Sequence, residues 1–548
     1  MNNNLKTSIN ISKDRDWESI SNDTVQMYYK GYILDGIWND IFKAVNAFEI
    51  ASDAVKTLPS LIESIRGHFG IIIKTPMWSF AAADKVSTIP VHYYKQDNHV
   101  IISNSAVYFK KGKHLVNVDA ESVVEMSMAG FTVNGKTLYS EVFQLTAGEY
   151  IFSDSNVFLK KKYYVYSPWK NKVQDERALK YKLERVFLDL LKMVLDSVQG
   201  REIVVPLSAG YDSRLVVSGL KEVGAKNVHC MSYGLSGNFE AKTAKKIAEK
   251  LGYKWTFIPL TLKIQRLAFL SDDFKKYLTY SDNLSNTPVL IDFTAIRYLK
   301  KNKLITDDAI IVNGNSGDFI SGGHIASYSS SDEVNTVESM TKRFVHKHYS
   351  LWSYLKTKNN VKFLNNSTYA RANELLKNND VTNKEIWTIF ESLEWSGRQS
   401  MLVSKTQTSY EYFGYSWRLP LWDPVLMDFW EKIPFQYKIN QNLYKELLVE
   451  LNWGNVWHDV SLNNYSYPRK TINFFRIVIK LFFIFLGKDK WKAFDNKYFS
   501  YFTDITAATA IVPYNKVLRD RWGARNRNSW AIRKYLERKG ISIEDIGL

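Results

Sequence analysis

The stretch Ile203-Val-Val-Pro-Leu-Ser-Ala-Gly-Tyr-Asp-Ser-Arg-Leu215 constrains the fold of this chain more than any other. An apolar run stops abruptly and gives way to Ser208, Gly210, Asp212 and Ser213. This is the pattern of a short buried strand feeding a helix through a tight turn. Small residues let the backbone approach an anion closely, and N–H groups at a helix start point at it. The two hydroxyls can donate to phosphate oxygens. A carboxylate repels phosphate, so Asp212 makes sense there when Mg²⁺ lies between them. The loop therefore reads as a site for pyrophosphate and metal. The plainer alternative is a polar turn without a ligand.

The loop is not a Walker A motif, because no Gly-Lys-Ser/Thr follows and the nearby basic residue is Arg214. The order downstream favours a nucleotide. Asn227 to Tyr233 is a second strand candidate, followed by the turn Gly234-Leu-Ser-Gly237. Ala241, Ala244, Ile247, Ala248 and Leu251 recur at helical spacing, with Gly252 as the residue that ends the helix. Trp255 to Leu260 gives a third strand. Alternating strands and helices predict a right-handed parallel α/β sheet, with ligands beyond the C-terminal ends of its strands. A fourth apolar run, Ala309-Ile-Ile-Val312, enters Asn313-Gly-Asn-Ser-Gly-Asp-Phe-Ile-Ser-Gly-Gly-His324. On its own this glycine-rich loop reads as a turn. Paired with the first loop, its Asp318 and Asp212 can share Mg²⁺ against one pyrophosphate.

The first loop resembles the Ser-Gly-Gly-x-Asp-Ser loop of the PP-loop ATP pyrophosphatases, with Ala209 in place of one glycine. The second resembles Ser-Gly-Glu-Gly-x-Asp-Glu-x-Phe-Gly-Gly-Tyr of the asparagine synthetase-like family, with Gly314, Asp318, Gly322 and Gly323 in register. Arg418-Leu-Pro-Leu-Trp-Asp423 resembles that family's Arg-x-Pro-x-x-Asp segment. Gly67-His-Phe-Gly70, Ala83-Asp-Lys85 with Ile89-Pro90, Met128 to Leu138 and Leu145-Thr-Ala-Gly148 are similar to parts of its N-terminal domain. The resemblance runs from about Arg66 to about Lys470.

It implies an α+β, β-rich, Ntn-hydrolase-like N-terminal domain in degenerate form. An α/β parallel-sheet ATP-pyrophosphatase domain (adenine nucleotide α-hydrolase-like) with a helical C-terminal part would follow. The implied cofactors are ATP and Mg²⁺. The implied reaction adenylates a carboxylate, releases pyrophosphate, and lets ammonia or an amine displace AMP. Ser208, Gly210 and Ser213, with Gly314 and Gly317, would cradle the phosphates, and Asp212 and Asp318 would hold Mg²⁺. Backbone around Leu207, Tyr233 and Gly234 would clasp adenine. Lys470 or Arg469 would neutralise developing charge, and Lys445 sits where the family has a lysine-bearing helix. All three basic residues also read as solvated surface charges.

Departures from the family narrow the expectation. Its N-terminal domain begins with a nucleophilic cysteine after Met1, but here Asn2, Asn3 and Asn4 follow. The one cysteine, Cys230, lies in a strand candidate and reads as core filler. The stretch before Gly67 is short for a complete glutaminase, and Thr7 or Ser8 would serve only after processing. No glutaminase activity of its own is expected. Nitrogen would come from solution, from a separate glutaminase subunit, or from an amine of a second substrate. Asn315 and Phe319 stand where the family has glutamates, and the charge lost at Asn315 argues against aspartate as the acid. A uronic acid of a surface polysaccharide is one alternative acceptor. A peptide or small-molecule acid closed onto its own amine, as in lasso-peptide cyclases or beta-lactam synthetases, is another. A catalytically silent nucleotide-binding partner protein is a reading of a different class.

At 548 residues the chain should hold two to three domains. The expected division is 1–165, 174–470 and a basic, aromatic-rich helical extension over 471–548. A helix from about Gln174 opens the second domain on a stripe from Leu179 to Leu195, and Gly200 ends it. From about Lys342 onward helix should dominate. Ala326 to Asp332 is polar enough for a lid or an ordinary loop. No apolar run reaches the ~18 residues of a membrane span. No signal peptide is evident, and one cysteine with a need for ATP points to the cytoplasm. The net charge of +17 suggests nucleic acid first, but the charge is spread and no nucleic-acid module is recognisable, so none is expected as partner. Phe474, Ile477, Val478, Leu481, Phe482 and Phe485 form a helical stripe. Burial against the synthetase domain is the expectation, with peripheral membrane contact through an interfacial helix as the alternative.

Overall fold

Strand residues near the N-terminus are apolar on both faces, which is how a sheet covered on two sides is written. The computed structural model describes residues 5–48, 50–111, 117–170, 175–325, 336–377, 379–458, 470–503 and 512–547. Its strands are β1 (Lys6–Asn10), β2 (Glu18–Ser21), β3 (Gln26–Ile33), β4 (Gly67–Lys74), β5 (Trp78–Ala83), β6 (His92–Gln96), β7 (His99–Ser103), β8 (Val142–Gln144), β9 (Glu149–Asp154) and β10 (Phe158–Lys162). They form a six-stranded antiparallel sheet, β10-β9-β5-β4-β3-β2, and a four-stranded sheet, β1-β7-β6-β8. Ile72, Ala81, Ala83, Val91, Ile102 and Ile151 pack between the sheets. The helices Trp38–Asn46 and Ala51–Ser64 cover the other face of the larger sheet, setting Val45, Leu58 and Ile62 against Ile71, Ile73 and Phe80. This is the expected Ntn-hydrolase-like α+β layering.

The helix Glu176–Val198 opens the next layer. Asp175 caps it by accepting from the Ala178 N–H, and Gln199 in the left-handed region followed by Gly200 stops it. A parallel sheet follows, built from β11 (Ile203–Pro206), β12 (Val228–Gly234), β13 (Lys254–Pro259), β14 (Ile310–Val312) and β15 (Ser416–Arg418) in the order β13-β12-β11-β14-β15. The chain runs outward from β11 to β13, then crosses back to β14 on the other side of β11. That reversal is a topological switch point, where parallel sheets open a crevice at their C-terminal edge. The loops carrying Asp212 and Asp318 leave the two strands that flank it.

Helix dominates after Lys342 as expected, with β15 the short strand that extends the sheet. One expectation is corrected. The stripe from Phe474 to Phe485 is not buried among the described residues: Phe482 is 72% and Phe485 93% exposed. The serine-rich segment Ala326 to Asp332 and Arg469 lie outside the described residues.

The Arg418-to-Asp423 segment, matched to the family by its residue pattern, forms a seam between the domains. The Arg418 guanidinium stacks 4.4 Å from the Tyr32 ring centroid, and the Leu419 N–H donates to the Tyr32 hydroxyl. Arg66 Nε donates to Asp423 at 2.8 Å, and Trp395 Nε1 donates to the Lys85 carbonyl. Lys405 is buried at the same seam, with Nζ 3.4 Å from Ser87 Oγ, and burial lowers its pKa to about 7.

Two tests follow from the seam. Arg66→Ala leaves the Asp423 carboxylate, 2% exposed, without its cation, and is expected to lower stability by about 3 kcal/mol in urea titrations. Lys405 binds its proton less well folded than unfolded, so between pH about 7 and its unfolded pKa of about 10.4 the unfolded state holds more protons and stability rises with pH. Lys405→Met is expected to flatten that rise when urea midpoints are compared across the window.

Candidate nucleotide and acceptor site

β11 ends against β12 with the Leu207 N–H on the Met231 carbonyl, and the chain then turns into the helix Tyr211–Glu222. Gly210 stands at the helix start and supplies no side-chain cap. Ser213 Oγ accepts from the Ser208 N–H at 3.1 Å, and Ser208 Oγ accepts from the Gly210 N–H at 3.1 Å. The Ala209 N–H donates to a Glu240 carboxylate oxygen at 2.6 Å. The loop backbone thus already holds one anionic oxygen, as a phosphate cradle should. Arg214 turns beneath the loop, donating to the carbonyls of Ala209 and Val456.

The second loop lies directly on the first. A Cβ on Gly314 would sit 2.8 Å from the Asp212 carbonyl carbon, and one on Gly317 would sit 2.5 Å from Asp212 Oδ1. Neither glycine is in the left-handed region, so contact between the loops is what requires them. The Asp318 N–H donates to Asp212 Oδ2 at 3.0 Å, and the Tyr444 hydroxyl donates to Asp212 Oδ1 at 3.0 Å. Burial first, and then the charge of Asp318, raise the Asp212 carboxyl to about 7. Desolvation opposes ionisation of Asp318 too, but the His324 ring, with Nε2 3.4 Å away, and the charge of Arg398 hold its pKa below the usual range.

Two adjacent carboxylates, of which Asp318 raises the proton affinity of Asp212, are hard oxygen donors suited to Mg²⁺. The Asp212 carboxylate accepts from the Asp318 and Gly317 N–H groups and from Tyr444, and an ionised carboxylate offers about four acceptor positions, which leaves room for a cation. Among the described residues no cluster of three or more His, Cys, Asp or Glu forms a metal cage. Mg²⁺ takes one or two carboxylates and completes its shell with phosphates and water, so the Asp212–Asp318 pair would suffice to hold it.

His324 links this pair to a cavity of about 530 Å³. Its Nδ1 lies 2.7 Å from Oε1 of the fully buried Glu394, whose other oxygen lies 3.1 Å from Lys347 Nζ. The two acids raise the imidazole pKa to about 9 against burial, and the cations lower Glu394 to about 2. Arg398 reaches the cavity from Trp395–Gln399, a π-helical segment broken at Gly397 (φ −98°, ψ −105°). Such bulges redirect a side chain out of the helical register. Arg525 and Arg527, far along the chain, also line the cavity. Asn315, at the family's glutamate position, donates to Thr406 Oγ1 on the cavity wall at 2.8 Å.

The other sequence candidates are placed as follows. Tyr233 stands at the C-terminal end of β12 and donates to Asp292, which also accepts from Tyr410; Tyr410 accepts in turn from Asn313. Gly234 ends that strand at φ +136° and accepts from the Leu260 N–H. Lys445 follows Tyr444 on the helix Asn442–Leu451; its Nζ donates to the Asn440 carbonyl at 2.7 Å and lies 5.6 Å from the Tyr211 ring centroid. Lys470 begins the helix Lys470–Phe482, and its side chain lies outside what is described, as does all of Arg469. Cys230 is buried in β12, which raises its thiol to about 12. Sequence reasoning missed Tyr444, Glu240, Glu394 and Arg398. His324 was readable only as the residue after Gly323.

A parallel sheet with acid-bearing loops on both sides of its switch point is thus joined to a layered, β-rich α+β half. Residues 183–453 match the family model described as asparagine synthase, so this part of the chain is an asparagine synthase-like domain. No curated protein matches the chain in sequence. Similar solved structures include an allosteric regulatory enzyme of purine biosynthesis (7% identity, 44% of this chain and 61% of that chain, TM-score 0.19). Two others are the glutamine phosphoribosylpyrophosphate amidotransferase from B. subtilis (8%, 55% and 64%, TM-score 0.18) and the NH3-dependent NAD synthetase from Campylobacter jejuni (14%, 40% and 94%, TM-score 0.21). The chain spans less than two thirds of the length of the first two. Likenesses this distant say nothing of what the chain acts on.

Gly317→Ala drives a methyl group into the Asp212 carboxylate. It is expected to cost about 1–3 kcal/mol of stability by overpacking and to lower ATP turnover more than that loss explains. Wild-type turnover in a folded Gly317→Ala protein would show that the loops need not touch.

Proposed function

We propose that the chain is an ATP-dependent amide-forming ligase that activates a carboxylic acid as its adenylate. The observation that carries this reading is the Asp212–Asp318 pair, held between two loops and continued through His324 into a cationic cavity. ATP would lie across the switch point, with its phosphates against Ser208, Gly210 and Ser213 and its adenine near the backbone of Leu207, Tyr233 and Gly234. Mg²⁺ held by Asp212 and Asp318 would offset the charge that builds on the departing pyrophosphate.

The substrate carboxylate, in the cavity, attacks the α-phosphorus; an acyl–phosphate bond forms and pyrophosphate leaves. Ammonia or an amine then attacks the acyl carbon, AMP leaves, and the nitrogen loses a proton to solvent. Arg398 is suited to orient the acid, because a guanidinium offers a planar fork to a carboxylate. Lys470, Arg469 and Lys445 remain candidates for neutralising the adenylate. The neutral Asn315–Thr406 edge and the arginines at 398, 525 and 527 favour a multiply anionic acid, such as a nucleotide-linked uronic acid, over aspartate, whose ammonium group they would repel. The nitrogen is expected from solution, a separate glutaminase or a second substrate's amine, and Cys230 takes no part.

The test is acid-dependent exchange of labelled pyrophosphate into ATP, with aspartate, UDP-hexuronates and a peptide-acid pool in parallel. Exchange with an anionic sugar acid is expected, and Asp212→Asn is expected to abolish it while thermal melting changes little. Exchange that survives in Asp212→Asn would remove the metal assignment. Exchange with aspartate alone would overturn the acceptor class.

A further inference from the structure

Scattered exposed apolar side chains are ordinary on a protein surface, but a contiguous set on one element is not. From Phe474 to Leu486, the helix Lys470–Phe482 and the turn after it present Phe474, Phe475, Ile477, Leu481, Phe482 and Phe485 to solvent, each more than half exposed. The opposite side of the element is anchored. Arg476 donates to both Asp495 oxygens at 2.6 and 2.9 Å. Phe483 packs 4.9 Å from the Phe494 ring and 5.5 Å from the Trp491 ring. The apolar face is therefore presented by a built element and is covered by nothing among the described residues.

Its surroundings specify what would cover it. Lys480, Lys488, Lys490 and Lys492 are exposed and form no ion pair among the described residues. Asp495 is matched by Arg476, which leaves Asp489 as the exposed acid of this stretch. An apolar face rimmed by unpaired lysines is the pattern of a helix lying in the interface of an anionic bilayer, its rings among the acyl chains and its ammonium groups at the headgroups. A second copy of the chain would bring the same lysines against each other, on a protein already at +17. No helix among the described residues is long and apolar enough to cross a membrane, which leaves the interfacial geometry.

We propose that this face docks the protein on an anionic lipid surface. The proposal is independent of the ligase reading. Co-sedimentation of the full chain with phosphatidylglycerol–phosphatidylcholine vesicles tests it, with phosphatidylcholine vesicles alone as the neutral arm. Binding to the anionic vesicles is expected, weaker at high salt. It should fall at least roughly tenfold in the double variant Phe482→Asp/Phe485→Asp. Both positions are solvent-facing, so thermal melting of that variant should match the wild type. Two results would overturn the proposal. One is absence of binding to anionic vesicles, or equal binding by the double variant. The other is self-association in sedimentation velocity that the same variant abolishes without any vesicle binding, which would assign the face to a second copy.

Discussion

The site turns on the Asp212 carboxylate. Its two oxygens are gripped from different parts of the chain, one by the Asp318 N–H and the other by the Tyr444 hydroxyl. That grip requires two loops to meet at backbone distance, so side chains are absent at Gly314 and Gly317. It also requires β11 and β14 to be neighbours, which the reversal of strand order supplies. A charge held this tightly beside a second carboxylate is unfavourable in itself. Its persistence makes sense as preparation for a cation that neither loop would attract as well alone.

The cavity shows how a locally irregular helix serves electrostatics. A regular turn through Trp395–Gln399 would keep Arg398 in step with its neighbours, whereas the break at Gly397 directs it toward Asp318 and the cavity. His324 does related work from the other side, because it is cationic only through the acids on both of its nitrogens. The positive field of the site thus comes from a few placed groups. The chain's overall excess of lysine contributes little to it, being mostly exposed and screened.

Much of the synthetase core was legible in the sequence because its signals are local. Apolar runs marked β11 to β14 to within a residue or two, and Gly252 and Gly200 marked helix ends by their left-handed conformations. Features that depend on distant partners were not legible. β15 is three residues long and becomes a strand only by pairing with β14. His324 and Glu394 are 70 positions apart, and nothing near either announces the other. The stripe after Phe474 showed which face is apolar, but no periodicity states what covers a face. Its exposure overturned the expectation of burial. The Arg418-to-Asp423 pattern was visible as a motif, yet its work at the seam could be seen only with Tyr32 and Arg66 in place.

That seam has a consequence for how interchangeable the two halves are. The half that carries the parallel sheet has its own core and the form of a separable module. Its Arg418 and Asp423, however, are completed by an aromatic ring and a guanidinium that belong to the other half. A chimaera would need to bring its own equivalents of Tyr32 and Arg66, at the same height above the sheet. Whatever chemistry the N-terminal half carries, it serves also as a fitted part of the other half's mould.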